Sequence, residues 1–378
     1  MQDPAYLDPR SGRTWPLSEP RWCGPEGQPL LLTDLPGLKR DEIDAGERSL
    51  WRYAAALPFR PESRISLGEG CTPLVAAEWN GAPVRFKCEW FMPSGSFKDR
   101  GASVMLSLLR AQGIGHVLED SSGNGGAAIA TYAAAGGMRA KILVPESTSP
   151  AKTVQSRAVG AEIELVPGSR QDCADAALAQ GNDPAEDIFY ASHNWHPFFL
   201  HGTKTLAYEL WEDLGFQAPD NVIVPCGAGS NVLGCGIGFS ELLRAGEIVR
   251  LPRIFAAQPA HCGPIAREFL GEAAVAPRPT IAEGTAIAQP IRTPEVLSIL
   301  HGSQGGAVLL EEAEIAAATG ALARQGLYVE PTCAQAAAAF ARLLANGTIS
   351  RDETTVVVLT GSGLKATQRH AELLGLAL

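Results

Sequence analysis

Residues 93–100 read Pro-Ser-Gly-Ser-Phe-Lys-Asp-Arg and place a lysine, Lys98, between a tight turn and a helix. The turn residues end a strand-like run at 84–90, and an apolar pattern with helical spacing begins at Val104. We therefore expect Lys98 at the exit of a strand. A single lysine is most often a solvated surface charge, so a functional interpretation needs support from other parts of the chain.

The pattern of strand, turn and helix recurs from residue 65 onward. Short apolar runs rich in β-branched residues alternate with helical segments, the longest at about 197–214, which is typical of parallel sheets covered by helices. We therefore predict an α/β fold with two open, mainly parallel twisted sheets, each covered by helices. The predicted strands are 84–90, 116–119, 141–145, 162–166, 188–190, 221–225, 254–257 and 355–359.

Composition divides the chain into three parts. Residues 1–60 are rich in Pro, Gly and charge, and we expect an N-terminal arm that packs on the body. Residues 61–205 and 206–378 are predicted to form one lobe each. The arm has the rhythm of a small β-ribbon and resembles a degenerate zinc ribbon, because a zinc site needs four Cys or His ligands and the arm offers only Cys23. No metal site is expected.

Charge and hydropathy argue against several classes of partner. The net charge is −10 and the chain has no run of Lys and Arg, so we expect no nucleic-acid partner. No run approaches the roughly 18 apolar residues that a membrane span needs, and the start lacks the features of a signal peptide. These observations favour a cytoplasmic protein that does not associate with membranes. The 8 cysteines form no C-x-x-C pair and are expected to be reduced core residues.

Four turns that follow predicted strands carry polar groups. Ligands of open α/β sheets bind at the carboxyl ends of strands, so these turns are candidate binding elements. The Lys98 turn offers an amine, and residues 121–126 (Ser-Ser-Gly-Asn-Gly-Gly) offer backbone amides and an asparagine. Residues 227–231 (Gly-Ala-Gly-Ser-Asn) form a glycine-rich turn, and residues 360–363 (Thr-Gly-Ser-Gly) offer hydroxyls.

The glycine-rich turn at 227–231 predicts an anion site. It joins a strand to a helix, so bare backbone amides and a helix N-terminus would face one point. Its spacing matches neither the G-x-x-x-x-G-K-[ST] loop nor the dinucleotide motif. Taken alone, the turn is equally consistent with close packing of a strand and a helix.

Together, these turns resemble the fold-type II pyridoxal phosphate (PLP) enzymes, and most closely the threonine synthase-like family of the tryptophan synthase beta superfamily. The family motif S-F-K-D-R-G is matched by residues 96–101, and S-[ST]-G-N by residues 121–124. The motif L-G-E-G-x-T-P-L is matched by residues 67–74, and L-T-G-x-G-L-K by residues 359–365. The resemblance covers about residues 60–370, and the occurrence of all four motifs in this order is far more specific than any one of them.

The resemblance implies PLP as the cofactor and assigns a role to each turn. Lys98 would form the Schiff base and later move the α-proton, and Asn124 would hydrogen-bond the cofactor's 3′ oxygen. Thr360 would face the pyridine nitrogen, with Ser362 as the alternative if the register is shifted by two residues. The implied phosphate-binding residues are Gly227, Ala228, Gly229, Ser230 and Asn231. The implied substrate-binding residues are Ser121, Ser122, Gly123, Gly125, Phe199 and Glu283.

One position departs from the threonine synthase pattern. That pattern reads N-P-x-R ahead of the long helix, and its arginine is associated with the phosphate of O-phosphohomoserine. Here residues 196–199 read His-Pro-Phe-Phe, so Phe199 stands at the arginine position. Loss of a bidentate phosphate clamp weakens binding of a phosphorylated substrate.

These residues lead to a preferred function and two alternatives. A neutral Thr360 beside the ring nitrogen favours elimination or replacement over transamination, so the preferred function is a threonine synthase-like lyase or synthase acting at the β or γ carbon of a small amino acid. The second hypothesis is an ammonia-lyase for serine, threonine or diaminopropionate, or a cysteine synthase-like β-replacement enzyme. The third is a non-catalytic relative that binds PLP. The family resemblance also implies a homodimer.

Two further groups of residues stay open on sequence alone. His193, His196 and His201 surround the start of the long helix and are consistent with either substrate contacts or structural hydrogen bonds. Glu283 lies on a loop that approaches the cofactor in the related family, but a solvated loop acid fits equally well.

Overall fold

The computed structural model describes residues 3–59 and 64–377. The strands, in chain order, are β1 (Ala5–Leu7), β2 (Thr14–Pro16), β3 (Leu31–Leu32), β4 (Leu74–Trp79), β5 (Ala82–Cys88), β6 (His116–Glu119), β7 (Arg139–Pro145), β8 (Glu162–Val166), β9 (Phe189–Tyr190), β10 (Asn221–Pro225), β11 (Arg253–Pro259), β12 (Gly306–Leu310) and β13 (Thr355–Leu359). The helices are α1 (Lys98–Ala111), α2 (Asn124–Ala135), α3 (Pro150–Ala158), α4 (Arg170–Gly181), α5 (Pro197–Thr203), α6 (Thr205–Asp213), α7 (Ser230–Arg244), α8 (Pro264–Leu270), α9 (Thr293–Gly302), α10 (Glu312–Arg324), α11 (Pro331–Ala345) and α12 (Thr367–Leu374).

The chain forms two compact units, each built from segments that are separated in sequence. Unit 1 contains Met1–Pro36, Asp44–Glu69 and Lys98–Thr203, and unit 2 contains Gly37–Ile43, Gly70–Phe97 and Lys204–Leu378. This grouping differs from the lobes expected at 61–205 and 206–378, because β5 pairs with β13 and so residues 70–97 lie in unit 2. The expected boundary at residues 60 and 61 lies outside the described residues.

Unit 1 is built on a four-stranded parallel sheet with the order β8-β7-β6-β9. A large apolar cluster joins helices α1 and α2 to the N-terminal segment, through buried residues such as Tyr6, Leu106 and Ile129. The strand order reverses at β6. On one side of β6 lies β7, the next strand in sequence, and on its other side lies β9, the last strand of this sheet. In open α/β sheets such a reversal places a binding crevice at the carboxyl ends of the two strands, here the turns after β6 and β9.

Unit 2 is built on a six-stranded sheet with the order β12-β11-β10-β13-β5-β4. All neighbouring strands are parallel except β4, which is an antiparallel edge strand against β5. The strand order reverses between β10 and β13, so the turns after these two strands lie at the same edge of the sheet. The alanine-rich face of α11 packs in the core of this unit with Phe86, Ile223 and Val357.

The sheets confirm the predicted α/β fold, and three details differ from the sequence expectation. Strands β4 and β12 were not predicted. The single helix expected at about 197–214 is two helices, which meet at Lys204. The Thr203 hydroxyl donates to the Phe199 carbonyl at 2.9 Å, a bond within a turn of helix that favours bending.

The N-terminal segment forms the small ribbon that its sequence indicates. Strands β2, β1 and β3 make an antiparallel sheet, and the backbones of Cys23 and Pro29 form an isolated antiparallel β-bridge. Within the described residues, no group of three or more His, Cys, Asp and Glu side chains is arranged to hold a metal ion. The resemblance of the arm to a zinc ribbon stays a prediction. Over the same residues, no helix has the length and apolar character needed to cross a bilayer.

Candidate active site

Lys98 is the first residue of α1 and its side chain is half-buried. Its amino nitrogen lies 5.6 Å from the centre of the Phe199 ring. Phe199 is fully buried in the core of unit 1, and it packs so closely on the backbone of Gly101 that a Cβ there would overlap the ring. The Lys98 amine therefore lies over an aromatic ring, and it is partly shielded from water.

The asparagine loop follows β6 and opens α2, whose first residue is Asn124. The loop is tightly closed, since a Cβ at Gly126 would overlap the carbonyl oxygen of Ser121. A Cβ at Gly123, in contrast, would meet no atom within 4 Å. The helix N-terminus thus presents backbone amides beside open space, which is suitable for a carboxylate.

A histidine from the turn after β9 lies against the same loop. A Cβ at Gly125 would lie 2.7 Å from Cε1 and Nδ1 of His193, so only glycine permits this approach. The ring centre of His193 lies 5.7 Å from that of Phe199. Its Nδ1 lies 3.0 and 3.1 Å from the two carboxylate oxygens of Glu119, and its backbone N–H donates to Glu119 at 3.0 Å. Sequence reasoning missed Glu119, the last residue of β6.

Burial dominates the electrostatics of this cluster. It raises the pKa of Glu119 from 4.5 to about 6, and it lowers the pKa of His193 well below its usual value, with the Lys98 charge adding to the effect. Burial and the Glu119 charge also raise the pKa of Asp120, which accepts a hydrogen bond from Tyr190 at 2.8 Å. At neutral pH these directions favour an ionised Glu119 beside a neutral imidazole.

In unit 2 the glycine-rich turn at 227–231 follows β10 and opens α7. Gly229 has a φ of +95°, and a Cβ there would overlap the side chain of Val296, so glycine is required for both reasons. Asn231 is 2% exposed, yet within the described ranges neither its Oδ1 nor its Nδ2 has a hydrogen-bond partner. A buried amide is costly without partners, which indicates a ligand at this turn.

Thr360 follows β13 and is buried, with its Oγ1 3.3 Å from the Sγ of Cys333. The backbone N–H of Gly361 donates to the same sulfur at 3.0 Å. Burial raises the pKa of the Cys333 thiol far above its usual value, so the thiol is neutral. Ser362, the alternative to Thr360, accepts from the backbone N–H of Leu364 at 3.3 Å and so caps the following turn.

The remaining sequence candidates have structural partners. Glu283 lies in an exposed turn and forms an ion pair with Arg369 at 2.8 Å; its role in substrate binding stays a prediction. The His196 ring is buried, with its ring centre 6.4 Å from that of Tyr6, and His201 is also buried. Of the three histidines, His193 is the one whose ring contacts the asparagine loop and the Glu119 carboxylate.

The comparison with protein families identifies the chain. The family model described as "Pyridoxal-phosphate dependent enzyme" matches residues 65–361, which contain the Lys98 motif, the asparagine loop and the glycine-rich turn. The chain belongs to this family. PLP is therefore the cofactor, and the buried side-chain amide of Asn231, which has no hydrogen-bond partner among the described residues, fits a bound phosphate group at the N-terminus of α7.

Curated relatives place this PLP-dependent enzyme in the threonine synthase-like branch. It is 33% identical over 373 residues to the threonine synthase of Methanocaldococcus jannaschii, covering 94% of this chain and 91% of that protein. It is also 33% identical over 331 residues to the threonine synthase of Methanosarcina acetivorans, covering 85% and 81% of the two chains.

Solved structures show that the fold is that of fold-type II PLP enzymes. The processed form of threonine deaminase isoform 2 from Solanum lycopersicum superposes with a TM-score of 0.67 at 22% identity, covering 81% of this chain and 84% of that one. Maize serine racemase superposes with a TM-score of 0.65 at 22% identity, covering 80% and 93%.

Proposed function

We propose that the enzyme catalyses elimination or replacement at the β or γ carbon of a small amino acid that carries no phosphate, with Lys98 as the covalent attachment point of PLP. The observation that carries the proposal is the placement of Lys98 at the start of α1, half-buried, with its amine over the ring of Phe199. PLP, when bound, supplies an electron sink for the negative charge left at the α-carbon.

In this proposal, Lys98 takes the α-proton once its amine is released by the incoming substrate, since a positioned lysine is a competent general base. The substrate carboxylate binds to backbone amides of the asparagine loop, where the N-terminus of α2 favours an anion. Asn124 would hydrogen-bond the 3′ oxygen of the cofactor and so orient it. Open space beside Gly123 supports the carboxylate assignment.

In unit 2, the turn 227–231 would bind the cofactor phosphate and Thr360 would be the partner of the ring nitrogen. The Thr360 hydroxyl and the Cys333 thiol next to it are both uncharged. With PLP bound, a neutral partner would leave the ring nitrogen unprotonated and so make the ring a weaker electron sink. More negative charge then stays at the α-carbon, which favours loss of a leaving group over transamination.

Phe199 supports a substrate without a phosphate group. Its buried ring fills the position where the threonine synthase pattern has arginine, and it offers no hydrogen bond or charge to a dianion. A second candidate is the threonine synthase reaction itself, which is favoured by relatives that are 33% identical over most of the chain.

A substrate panel tests the proposal and separates the candidates. The purified enzyme is incubated with serine, threonine, diaminopropionate, O-acetylserine plus sulfide, and O-phosphohomoserine, and the products are followed as 2-oxo acid, ammonia, cysteine, threonine or phosphate. We expect turnover of one of the unphosphorylated substrates and its loss in Lys98→Ala, with Lys141→Ala as the control at a lysine of β7. Threonine and phosphate from O-phosphohomoserine would support the second candidate. Stoichiometric formation of pyridoxamine phosphate would contradict both.

The homodimeric state and the cytoplasmic location stay predictions. Light scattering on the purified protein tests the first, and fractionation of cells tests the second.

A further inference from the structure

The proposed function leaves unused the buried pair formed by Glu119 and His193. The carboxylate binds the Nδ1 edge of the imidazole, because Nδ1 lies 3.0 and 3.1 Å from its two oxygens and the backbone N–H of the same residue donates to it at 3.0 Å. A carboxylate accepts a hydrogen bond and therefore fixes the proton on Nδ1. The lone pair of the neutral ring is then on Nε2.

The Phe199 ring lies near both the His193 imidazole and the Lys98 amine. The His193 ring centre and the Lys98 amino nitrogen lie 5.7 and 5.6 Å, respectively, from the centre of the same Phe199 ring. The imidazole also contacts Gly125 of the asparagine loop, where a Cβ would lie 2.7 Å from its Cε1 and Nδ1 atoms, a distance that only glycine permits. The imidazole thus contacts the loop proposed to bind the substrate carboxylate, and Lys98 is near enough for its charge to act on the ring.

We infer that His193, oriented by Glu119, is the proton carrier that protonates the departing group of the substrate. The inference rests on the proposed function and deepens it, because it assigns to the site a substrate whose leaving group needs a proton, such as a β-hydroxy amino acid. An anchoring role would require only the Nδ1 and backbone contacts with Glu119.

For a β-hydroxy substrate, every proton and electron pair in the elimination of water is accounted for. The Cα–H bond breaks and the proton is taken by the Lys98 amine, while the electron pair of that bond forms the Cα=Cβ bond. The lysine ammonium gives its proton to Nε2 of His193. As the Cβ–O bond breaks, its electron pair leaves on oxygen, which takes the proton from Nε2 and departs as water. Lysine and histidine return to their neutral forms.

Burial and the charges around the imidazole keep it neutral before the step. The groups that act on it are Glu119 and Asp120 from the end of β6, Lys98 from α1 and Arg170 from α4. Burial, the lysine and the arginine lower the pKa of His193, whereas Asp120 raises it. The ring is thus neutral at physiological pH, and once it carries a proton it is a strong acid toward the departing oxygen.

The test compares two leaving groups in one variant. His193→Asn retains an N–H that can donate to Glu119 in the place of Nδ1, and it deletes the nitrogen that carries the proton. Hydroxide from L-serine or L-threonine leaves only with a proton, whereas chloride from β-chloro-L-alanine needs none. We expect kcat on the hydroxy substrate to fall about 100-fold or more, the usual range for loss of a general acid, and kcat on β-chloro-L-alanine to change less than about 3-fold.

The matched control is His196→Asn, at a buried histidine of the same turn, which is expected to alter both substrates by the same factor. Glu119→Gln provides a second variant, in which the imidazole is kept and loses its carboxylate. In this variant we again expect kcat to fall on the hydroxy substrate but not on β-chloro-L-alanine, by about 10-fold or more. This variant tests the inference even if His193→Asn does not fold.

A measurement on the cofactor-free protein tests the protonation state of His193 directly. Nitrogen NMR of the cofactor-free protein labelled at histidine, assigned by the signal missing in His193→Asn, is expected to show a neutral ring protonated at Nδ1 at about pH 7.5. A ring protonated at Nε2, or a charged ring, would overturn the inference.

The kinetic outcomes separate this inference from the proposed function. An equal loss on the two substrates in His193→Asn would overturn the proton-carrier role and leave the proposed function standing. If the wild-type enzyme acts on neither substrate class, the proposed elimination fails and the inference fails with it.

Discussion

Replacement of Glu119 by glutamine changes the pH dependence of stability by an amount that follows from the structure. The Glu119 carboxyl is fully buried, and burial raises its pKa from 4.5 to about 6. A group with a raised pKa stabilises the folded state below its unfolded pKa, and that contribution is lost as the pH rises through the folded value. Glutamine does not titrate, so the variant lacks this dependence.

The rise from 4.5 to about 6 corresponds to about 2 kcal/mol, at about 1.4 kcal/mol for each pH unit. The wild type should therefore gain about 2 kcal/mol relative to Glu119→Gln between about pH 7.5 and about pH 4. Burial holds the pKa of His193 well below its usual value, so over this range the histidine titrates mainly in the unfolded chain, which is the same for both proteins. Asp120 contributes in the same direction, because the Glu119 charge raises its pKa in the wild type alone.

The assay is urea unfolding of both proteins across this pH range, followed by tryptophan fluorescence and by far-UV circular dichroism. Coincident curves from the two probes establish that a single transition is measured. The hydrogen bond that the glutamine amide loses lowers stability at every pH and does not affect the slope. A difference that is flat with pH, or a wild type that loses stability relative to the variant on acidification, would refute the assignment of a desolvated carboxylate.

Two further predictions concern unit 2. Gly229→Ala places a Cβ against Val296 at a φ of +95°, so we expect a loss of at least about 1 kcal/mol in stability and faster release of PLP on dialysis. Lys87→Met leaves the buried carboxylate of Glu209 without the ammonium now 2.7 Å away, which should cost about 3–5 kcal/mol. The exposed cation Arg250 is the control, since Arg250→Met should cost less than about 1 kcal/mol; equal effects in thermal unfolding would contradict the burial argument.

The parallel strands were predictable because their signal is local. Runs such as Thr355–Leu359 are apolar, β-branched and followed by glycine-rich turns, and the structure places strands there. Strand β4 was missed because it is an edge strand with one solvated face, so its run of residues 74–79 contains alanine and glutamate. Strand β12 begins at a glycine, and it alternates between buried and half-buried positions.

The division into units could not be predicted, because it depends on pairing between distant segments. Val357 of β13 pairs with Phe86 of β5, and no local pattern near residue 86 indicates that partner. The Glu119–His193 pair has the same origin. Glu119 reads as an ordinary strand residue, and it meets His193 because β9 lies next to β6 in the sheet. A charged residue that ends an apolar strand just before a glycine-rich turn was the one available signal.

The four turns were recognisable from sequence because each needs particular residue types. Gly229 adopts a backbone conformation that glycine favours, and Asn231 is a buried polar residue without a partner in the described chain. The substrate was not recognisable, because it depends on side chains such as Phe199 and His193 that are brought together only by the fold.

The central claim is that Lys98 is the residue that holds PLP, and chemical trapping tests it most directly. The cofactor-loaded protein is reduced with borohydride, digested, and mapped by mass spectrometry, with Lys98→Ala treated in parallel. We expect a pyridoxyl group on the peptide that contains Lys98 and on no other, and none in the variant. A pyridoxyl group on a different lysine, or its persistence in Lys98→Ala, would contradict the account.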